Sequence, residues 1–476
     1  MLFRLIYDED LAQAAYLIGC QKTGDAIVVD PERDIDRYLD LAAEHGLKIT
    51  AVAETHIHAD FLSGARELAE KVGAKVYVSG LGGPDWQSKW VTGYDHQILG
   101  DGDEFMVGNI RLTTVHSPGH TPEHVSYLVT DIGGGAETPM GIITGDFVFV
   151  GDLGRPDLLE SAAGIEGMME PSARTLAGTA KSFLELEDHI QIWPAHGSGS
   201  ACGKSLGAVP QSTVGYEKRY NHALSLANDE QAFVDFILAG QPEPPVYFAR
   251  MKAWNRDGVP LLGEVPNPKR LAASEVASAT NGARVLDVRD WNDFRDGHLH
   301  GANWTTDGLG FLMAVGSYVE PDERMVLICR EDQVDVLVRD LVRIGLDKIE
   351  AVVTPDVFAE YVAAGGGVET APEITASALC DSLDGPHVKV LDVRRAAENE
   401  VEAIEHAVNV AHTRLVPRIG EVPGGDGPIY VHCAGGIRSG MAVSELRRRG
   451  FDAVNVAGGW TAMKDAGCHR AVATTG

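Results

Sequence analysis

A chain of 476 residues exceeds what one hydrophobic core supports and suggests about three domains of ordinary size. Its formal net charge of -29 argues against a nucleic-acid partner, because phosphate contacts need clustered Lys and Arg, and the basic run Arg447 to Arg449 reads as the solvated face of a helix. With 44% hydrophobic and 23% charged residues the composition is globular, and no apolar run reaches the ~18 residues of a membrane span.

The opening MLFRLIYDEDLAQ lacks the charged, apolar and small-residue order of a secretory signal. Strand-like and helix-like stretches then alternate. Ala26 to Asp30 is a short apolar run before Pro31, and Tyr38, Leu39, Leu41 and Ala42 follow at helical spacing. Strands are predicted at Ile49–Thr55, Lys75–Ser79, Ile110–Val115, Val125–Thr130 and Gly141–Thr144, with a helix over Leu62–Val72. Such a mixture fits two sheets with helices packed outside. Residues 241–269 hold six Pro, which oppose regular structure, so a connector is predicted there that packs onto a domain through Val246, Tyr247, Phe248 and Trp254.

An internal repeat follows. Val285-Leu-Asp-Val-Arg289 recurs as Val390-Leu-Asp-Val-Arg394. Each copy continues through an acidic helical stretch, then His300-Gly-Ala-Asn303 or His406-Ala-Val-Asn409. Each then has an apolar strand ending at a cysteine, Cys329 or Cys433, and a helix reaching Gly345 or Gly450. Four landmarks at nearly one offset imply two copies of an α/β unit of about 100 residues.

Four segments carry metal-ligand chemistry. Thr55-His-Ile-His-Ala-Asp60 lies where a strand meets a helix start, and on an extended segment His56 and His58 face one side. Ser117-Pro-Gly-His-Thr121 presents His120 on a tight turn. Thr144-Gly-Asp146 and Trp193-Pro-Ala-His196 place a carboxylate and another imidazole at strand ends. Loops at strand ends are how a rigid scaffold assembles a metal centre. His45, His96, His189 and His222 have no such context and read as ordinary surface or core histidines.

In this order the four segments resemble the metallo-β-lactamase superfamily, particularly its glyoxalase II and persulfide dioxygenase branch. The resemblance implies an αββα sandwich with metal at one edge, over roughly the first 240 residues. One departure is informative. The family's motif usually ends in a second His after the Asp, a ligand to a second metal, and here that position is Phe61. One metal is therefore expected. The persulfide dioxygenase resemblance implies His56, His120 and Asp146 as its ligands, the facial set that suits mononuclear non-haem Fe(II), with Zn as the alternative. His58, Asp60 and His196 are expected to orient ligands or substrate, or to serve as alternative metal ligands. His116 and His124 are expected to be structural, and Arg155 is expected to pair with Asp157. Cys202, in the glycine-rich loop six residues past His196, is read as a thiol near the metal that holds or receives sulfur.

The second repeat copy contains His432-Cys-Ala-Gly-Gly-Ile-Arg-Ser439 between a strand and a helix. Such a loop surrounds the Cys433 sulfur with backbone N–H groups, favouring the thiolate, and Arg438 adds a full charge. The loop, the LDVR strand and Ala457-Gly-Gly-Trp460 resemble the rhodanese family, which implies a sulfurtransferase using Cys433 and Arg438 as catalytic residues. In the first copy Cys329 is followed by Arg330-Glu-Asp-Gln-Val334, with two acids and no glycine. That domain is expected to be catalytically silent, a spacer or docking unit, with Cys329 a buried structural residue. The remaining Cys20, Cys380 and Cys468 carry no motif. Six scattered Cys give no disulfide framework and fit a reducing compartment, hence the cytoplasm.

The expected organisation is a multidomain α/β protein: residues 1–240 an αββα sandwich, 241–269 a connector, 270–368 a degenerate rhodanese-like domain and 369–476 an active one. The expected function is oxidation by O2 of a low-molecular-weight persulfide, carried on glutathione, CoA or another thiol, to sulfite, coupled to sulfur transfer that gives thiosulfate. Association into a homo-oligomer is compatible with this reading, and no membrane or nucleic acid enters it. Two readings compete: a zinc-dependent thioester hydrolase of the glyoxalase II type fused to a sulfurtransferase, and a non-enzymatic sulfur carrier or interaction module.

Overall fold

The computed structural model of the chain describes residues 1–161, 166–200, 202–204, 206–241, 243–383, 388–468 and 471–472. It divides into two compact units, Met1–Val265 with Val342–Gly345, and Pro266–Leu341 with Leu346–Gly476.

In the first unit two six-stranded sheets are built in chain order. One runs β1 (Leu2–Asp8), β2 (Gln13–Cys20), β3 (Asp25–Val29), β4 (Lys48–Ala53), β5 (Lys75–Ser79) and β6 (His96–Leu99). The other runs, from its far edge, β12 (Ser212–Thr213), β11 (Gln191–Pro194), β10 (Gly141–Gly145), β9 (Val125–Asp131), β8 (Ile110–His116) and β7 (Glu104–Val107). Alternation along the strands decides the layers. Tyr16 and Ile18 face the inter-sheet core with Leu112, Tyr127, Ile143 and Trp193, while Ala15 and Leu17 face outward to Tyr38, Ala42 and Leu68 of the covering helices. On the other outer face Ile142 and Ile192 meet Leu176, Phe183 and Phe233. The result is helix, sheet, sheet, helix, as expected from the sequence.

The stretch 241–269 corrects the sequence reading. Its prolines cluster at 242–245 and 260–268, and the proline-free interval between them forms the ten-residue helix Phe248–Asp257. Phe248, Met251, Lys252 and Asn255 are its buried residues, the spacing of one helical face. This segment belongs to the first unit through Val265 and is not an inter-domain linker.

The second unit contains the repeat as two five-stranded parallel sheets. In the first, β13 (Lys269–Arg270), β14 (Arg284–Asp287), β15 (Asn303–Trp304), β16 (Met325–Ile328) and β17 (Ile349–Val353) are ordered β13-β17-β16-β14-β15. In the second, β18 (Glu373–Thr375), β19 (Lys389–Asp392), β20 (Ala403–Ile404), β21 (Val408–Asn409), β22 (Ile429–His432) and β23 (Ala453–Ala457) give the order β18-β23-β22-β19-β21, with β20 outside that sheet. The two orders are equivalent strand for strand. The LDVR motif does the same work in both copies: Arg289 clasps Asp287 at 2.6 Å, and Arg394 clasps Asp392 at 2.6 Å. The copies are tied by Arg284, whose Nη1 donates to the buried Glu445 at 2.9 Å.

A second correction concerns cysteine. Cys380 and Cys468 form a disulfide across a sequence separation of 88. Packing of the helix Ala376–Ser382 against the helix Gly459–Asp465 brings their ends together, a proximity that no local spacing reveals.

Candidate functional site

At one edge of the sandwich, the ends of β4, β8, β10 and β11 lead into the four motif segments. Two glycines make close passage there necessary. Gly119 has φ +139° and a Cβ would lie 2.5 Å from Leu176, and at Gly154 a Cβ would lie 1.8 Å from the carbonyl oxygen of Asp146.

The ligating atoms of His56, His120 and Asp146 lie within 4.8 Å of one another, and all three residues are buried. Each imidazole is oriented through its far nitrogen. Thr55 Oγ1 meets His56 Nδ1 at 3.0 Å, and His120 Nδ1 meets the Arg155 carbonyl at 3.0 Å. The Nε2 atoms therefore turn inward, 3.9 and 3.4 Å from Asp146 Oδ2. Burial lowers both imidazoles, His56 well below its ordinary value and His120 to about 4, so their lone pairs are available. Burial opposes ionisation of Asp146, but His196, His120 and His56 outweigh it and hold the carboxyl well below the usual range. Neither Asp146 oxygen has a hydrogen-bond donor. Two neutral imidazoles and an unsatisfied buried carboxylate fit a divalent cation.

The His56 and His58 rings lie side by side, 4.2 Å between centroids, but the ligating atom of His58 joins a separate donor set with Asp30 and Glu54. The chain leaves the strand at Ala53 and turns, and His58 Nε2 lies 3.2 Å from Asp30 and 3.3 Å from Glu54. Burial disfavours its charge, but the two carboxylates raise it well above its ordinary value. Phe61 is fully buried with its ring 4.4 Å from that of His58.

Asp60, His196 and Cys202 gather as a separate donor set, also within 4.8 Å. His196 Nε2 lies 3.3 Å from Asp60 Oδ2 and 3.3 Å from Asp146 Oδ1, so Asp146 stands between the two sets. Cys202 is 2% exposed; burial, then Asp60 and Asp146, pushes its thiol up to about 12. Its loop neighbours Ala201 and Ser205 lie outside the described residues. His124 accepts from the Asp146 N–H at 3.0 Å and His116 meets the Pro122 carbonyl. Arg155 pairs with Asp157 at 2.6 Å.

Two residues of the Phe248–Asp257 helix were not singled out from sequence. Asn255 donates to the carbonyls of His58 and Phe61 at 2.9 and 2.7 Å and accepts from the Ser63 N–H at 2.9 Å. It clamps the motif loop from above. Lys252 is 8% exposed on the same face. Polar residues at the inner positions of a helix otherwise marked by Phe248 and Met251 are the signal that could have found them.

In the second unit Cys433 follows β22, and its Sγ accepts from the Gly436 N–H at 3.1 Å and from Ser439 Oγ at 3.5 Å. The cradle is closed from behind: the Trp460 N–H donates to the Cys433 carbonyl at 2.7 Å. Arg438 is held by Glu398 in two bonds of 2.6 and 2.8 Å, so its charge at the loop is shared with a carboxylate. Cys329 is 1% exposed, and burial followed by Glu331 pushes its thiol up to about 12.

Residues 8–196 match the metallo-beta-lactamase superfamily and residues 375–466 the rhodanese-like domain family. A crystal structure of a metallo-beta-lactamase from Staphylococcus aureus is 42% identical with a TM-score of 0.67, covering 75% of this chain and 99% of that one. The mitochondrial persulfide dioxygenase ETHE1 of Bos taurus is 27% identical over 233 residues, 48% of this chain and 78% of its own. A beta-lactamase hydrolase-like protein of Agrobacterium fabrum is 27% identical over 260 residues, 49% of this chain. The match spans 54% of that relative's length.

Proposed function

The chain belongs to the metallo-beta-lactamase superfamily and carries a C-terminal rhodanese-like domain, and from that premise we propose that it oxidises a thiol persulfide and transfers its sulfur. The observation that carries this reading is the three-donor face of His56, His120 and Asp146, with His58 withdrawn beside Phe61. Fe(II) held by that face would supply the redox chemistry that couples O2 to sulfur oxidation. The balanced reaction is RSSH + O2 + H2O → RSH + sulfite + 2 H+.

The chain's own residues prepare this chemistry. Thr55 and the Arg155 carbonyl fix the two imidazoles. Buried walls exclude bulk water and strengthen each electrostatic contact inside. Cys202, beside Asp60 and His196, is the thiol that receives or holds sulfur near the centre. In the second unit the Cys433 thiolate attacks the sulfane sulfur of RSSH, releasing RS− and leaving a protein persulfide. Sulfite then takes that sulfur, giving thiosulfate and regenerating the thiolate. Residues 270–368, which repeat the active domain's topology, act as a silent rhodanese-like docking unit. No helix among the described residues is long and apolar enough to cross a membrane.

A second reading is favoured by the Asp60, His196 and Cys202 set, which could hold a second cation and serve a zinc hydrolase. Oxygen uptake with glutathione persulfide, compared with hydrolysis of S-lactoylglutathione, separates the two. Persulfide-dependent uptake by the iron-loaded protein is expected. Thioester hydrolysis without uptake would establish the hydrolase.

A further inference from the structure

Among the described residues, Lys252 is a buried lysine that the chemistry above leaves unused. Lys252 projects from the inner face of the Phe248–Asp257 helix and is 8% exposed. Among the described residues its Nζ has no hydrogen-bond or ion-pair partner; the nearest support is the face of the Trp86 ring, 4.4 Å from the ring centre. Its charge acts on three neighbours, Glu123, Cys202 and His120. Glu123 is half engaged: its Oε1 accepts from the Ile57 N–H at 2.9 Å, while its Oε2 is buried without a hydrogen-bond partner. One turn along the same helix face, Asn255 clamps the metal loop and lines a pocket with His56, Ile57, Ser88 and Trp90. The helix thus packs over the motif loop, with the Lys252 ammonium on the face that Asn255 turns to that loop and within electrostatic reach of His120 and Cys202.

Burying an ammonium without a hydrogen-bonding partner is costly, and the cost is offset when an anion completes the pair. A lysine serving only to pack would be replaced at less cost by Leu or Met, which have no charge to desolvate. We propose that Lys252 is the substrate-anion binding residue of this centre, receiving the negative sulfur of a low-molecular-weight persulfide and afterwards the sulfite formed from it. Hydropersulfides ionise more readily than thiols, so the substrate arrives as an anion. The cation acts electrostatically on both His120, a candidate metal ligand, and Cys202, the candidate sulfur-holding thiol. Desolvation lowers the Lys252 ammonium to about 8, which leaves it charged at neutral pH. This assignment rests on the persulfide reading for its substrate, although the anion site itself does not.

The test uses the full-length protein loaded with Fe(II), as wild type, Lys252→Met and Lys252→Arg, with metal content and thermal midpoint measured for each. Two readouts are taken: kcat and KM for glutathione persulfide by oxygen uptake, and calorimetric binding of sulfite. Loss of one charge-assisted contact is expected to raise KM and the sulfite Kd by about 10- to 100-fold in Lys252→Met, with kcat within about 3-fold. Lys252→Arg is expected to recover most of both. An unchanged KM and sulfite affinity in Lys252→Met, or a fall in kcat alone, would overturn the assignment. Absence of oxygen uptake in the wild type, together with Lys252-dependent sulfite binding, would remove the persulfide reading and leave the anion site standing.

Discussion

His56 and His58 stand two positions apart and answer to different charges. His56 faces Asp146, and His58 faces Asp30 and Glu54. The candidate donors His56, His120 and Asp146 were legible in the sequence because each lies in a short motif at a strand end. The direction of His58 was not, because it depends on Asp30 at the end of a neighbouring strand as well as on Glu54 four residues before it. The cradle around Cys433 was legible for the same local reason, whereas the Arg438–Glu398 pair, 40 residues apart, was not. At Cys433 the expected outcome is specific: Cys433→Ser lowers thiosulfate:cyanide sulfur transfer at least about 10³-fold and leaves persulfide-dependent oxygen uptake unchanged. Cys329→Ser changes neither. Transfer surviving in Cys433→Ser would place the reactive thiol elsewhere.

Among the elements, the helix Phe248–Asp257 matters most to the site. Proline counting hid it, since six prolines in 29 residues suggested a connector, and only their separation into two groups leaves room for ten helical residues. The strands were easier to read, because Lys75–Ser79 and Gly141–Gly145 are short apolar runs bounded by turn residues. Asn255 links the helix to the motif loop through three hydrogen bonds. In Asn255→Ala two carbonyls and one N–H would lose their partner. A stability loss of about 2–4 kcal/mol is expected by denaturant unfolding, with metal affinity about 10-fold weaker in a chelator competition. Unchanged affinity with lowered stability would limit Asn255 to packing.

Across the whole molecule, the two candidate sites fall in two compact units, and the repeat in the second was legible because VLDVR recurs at equivalent strands β14 and β19. The disulfide Cys380–Cys468 was not, since 88 residues separate its halves. Its reduction constrains the unfolded chain less, so a loss of about 2–4 kcal/mol in the C-terminal domain is expected when unfolding is followed with and without dithiothreitol. Identical curves would show that the bond contributes nothing to stability. With Phe61 at the second-metal position and His58 engaged by Asp30 and Glu54, a single, oxygen-accessible ion on His56, His120 and Asp146 is expected. Elemental analysis of the purified protein, paired with oxygen uptake on glutathione persulfide after iron loading, tests it most directly. One iron per chain with persulfide-dependent uptake is expected; two zinc ions per chain and no uptake would contradict it.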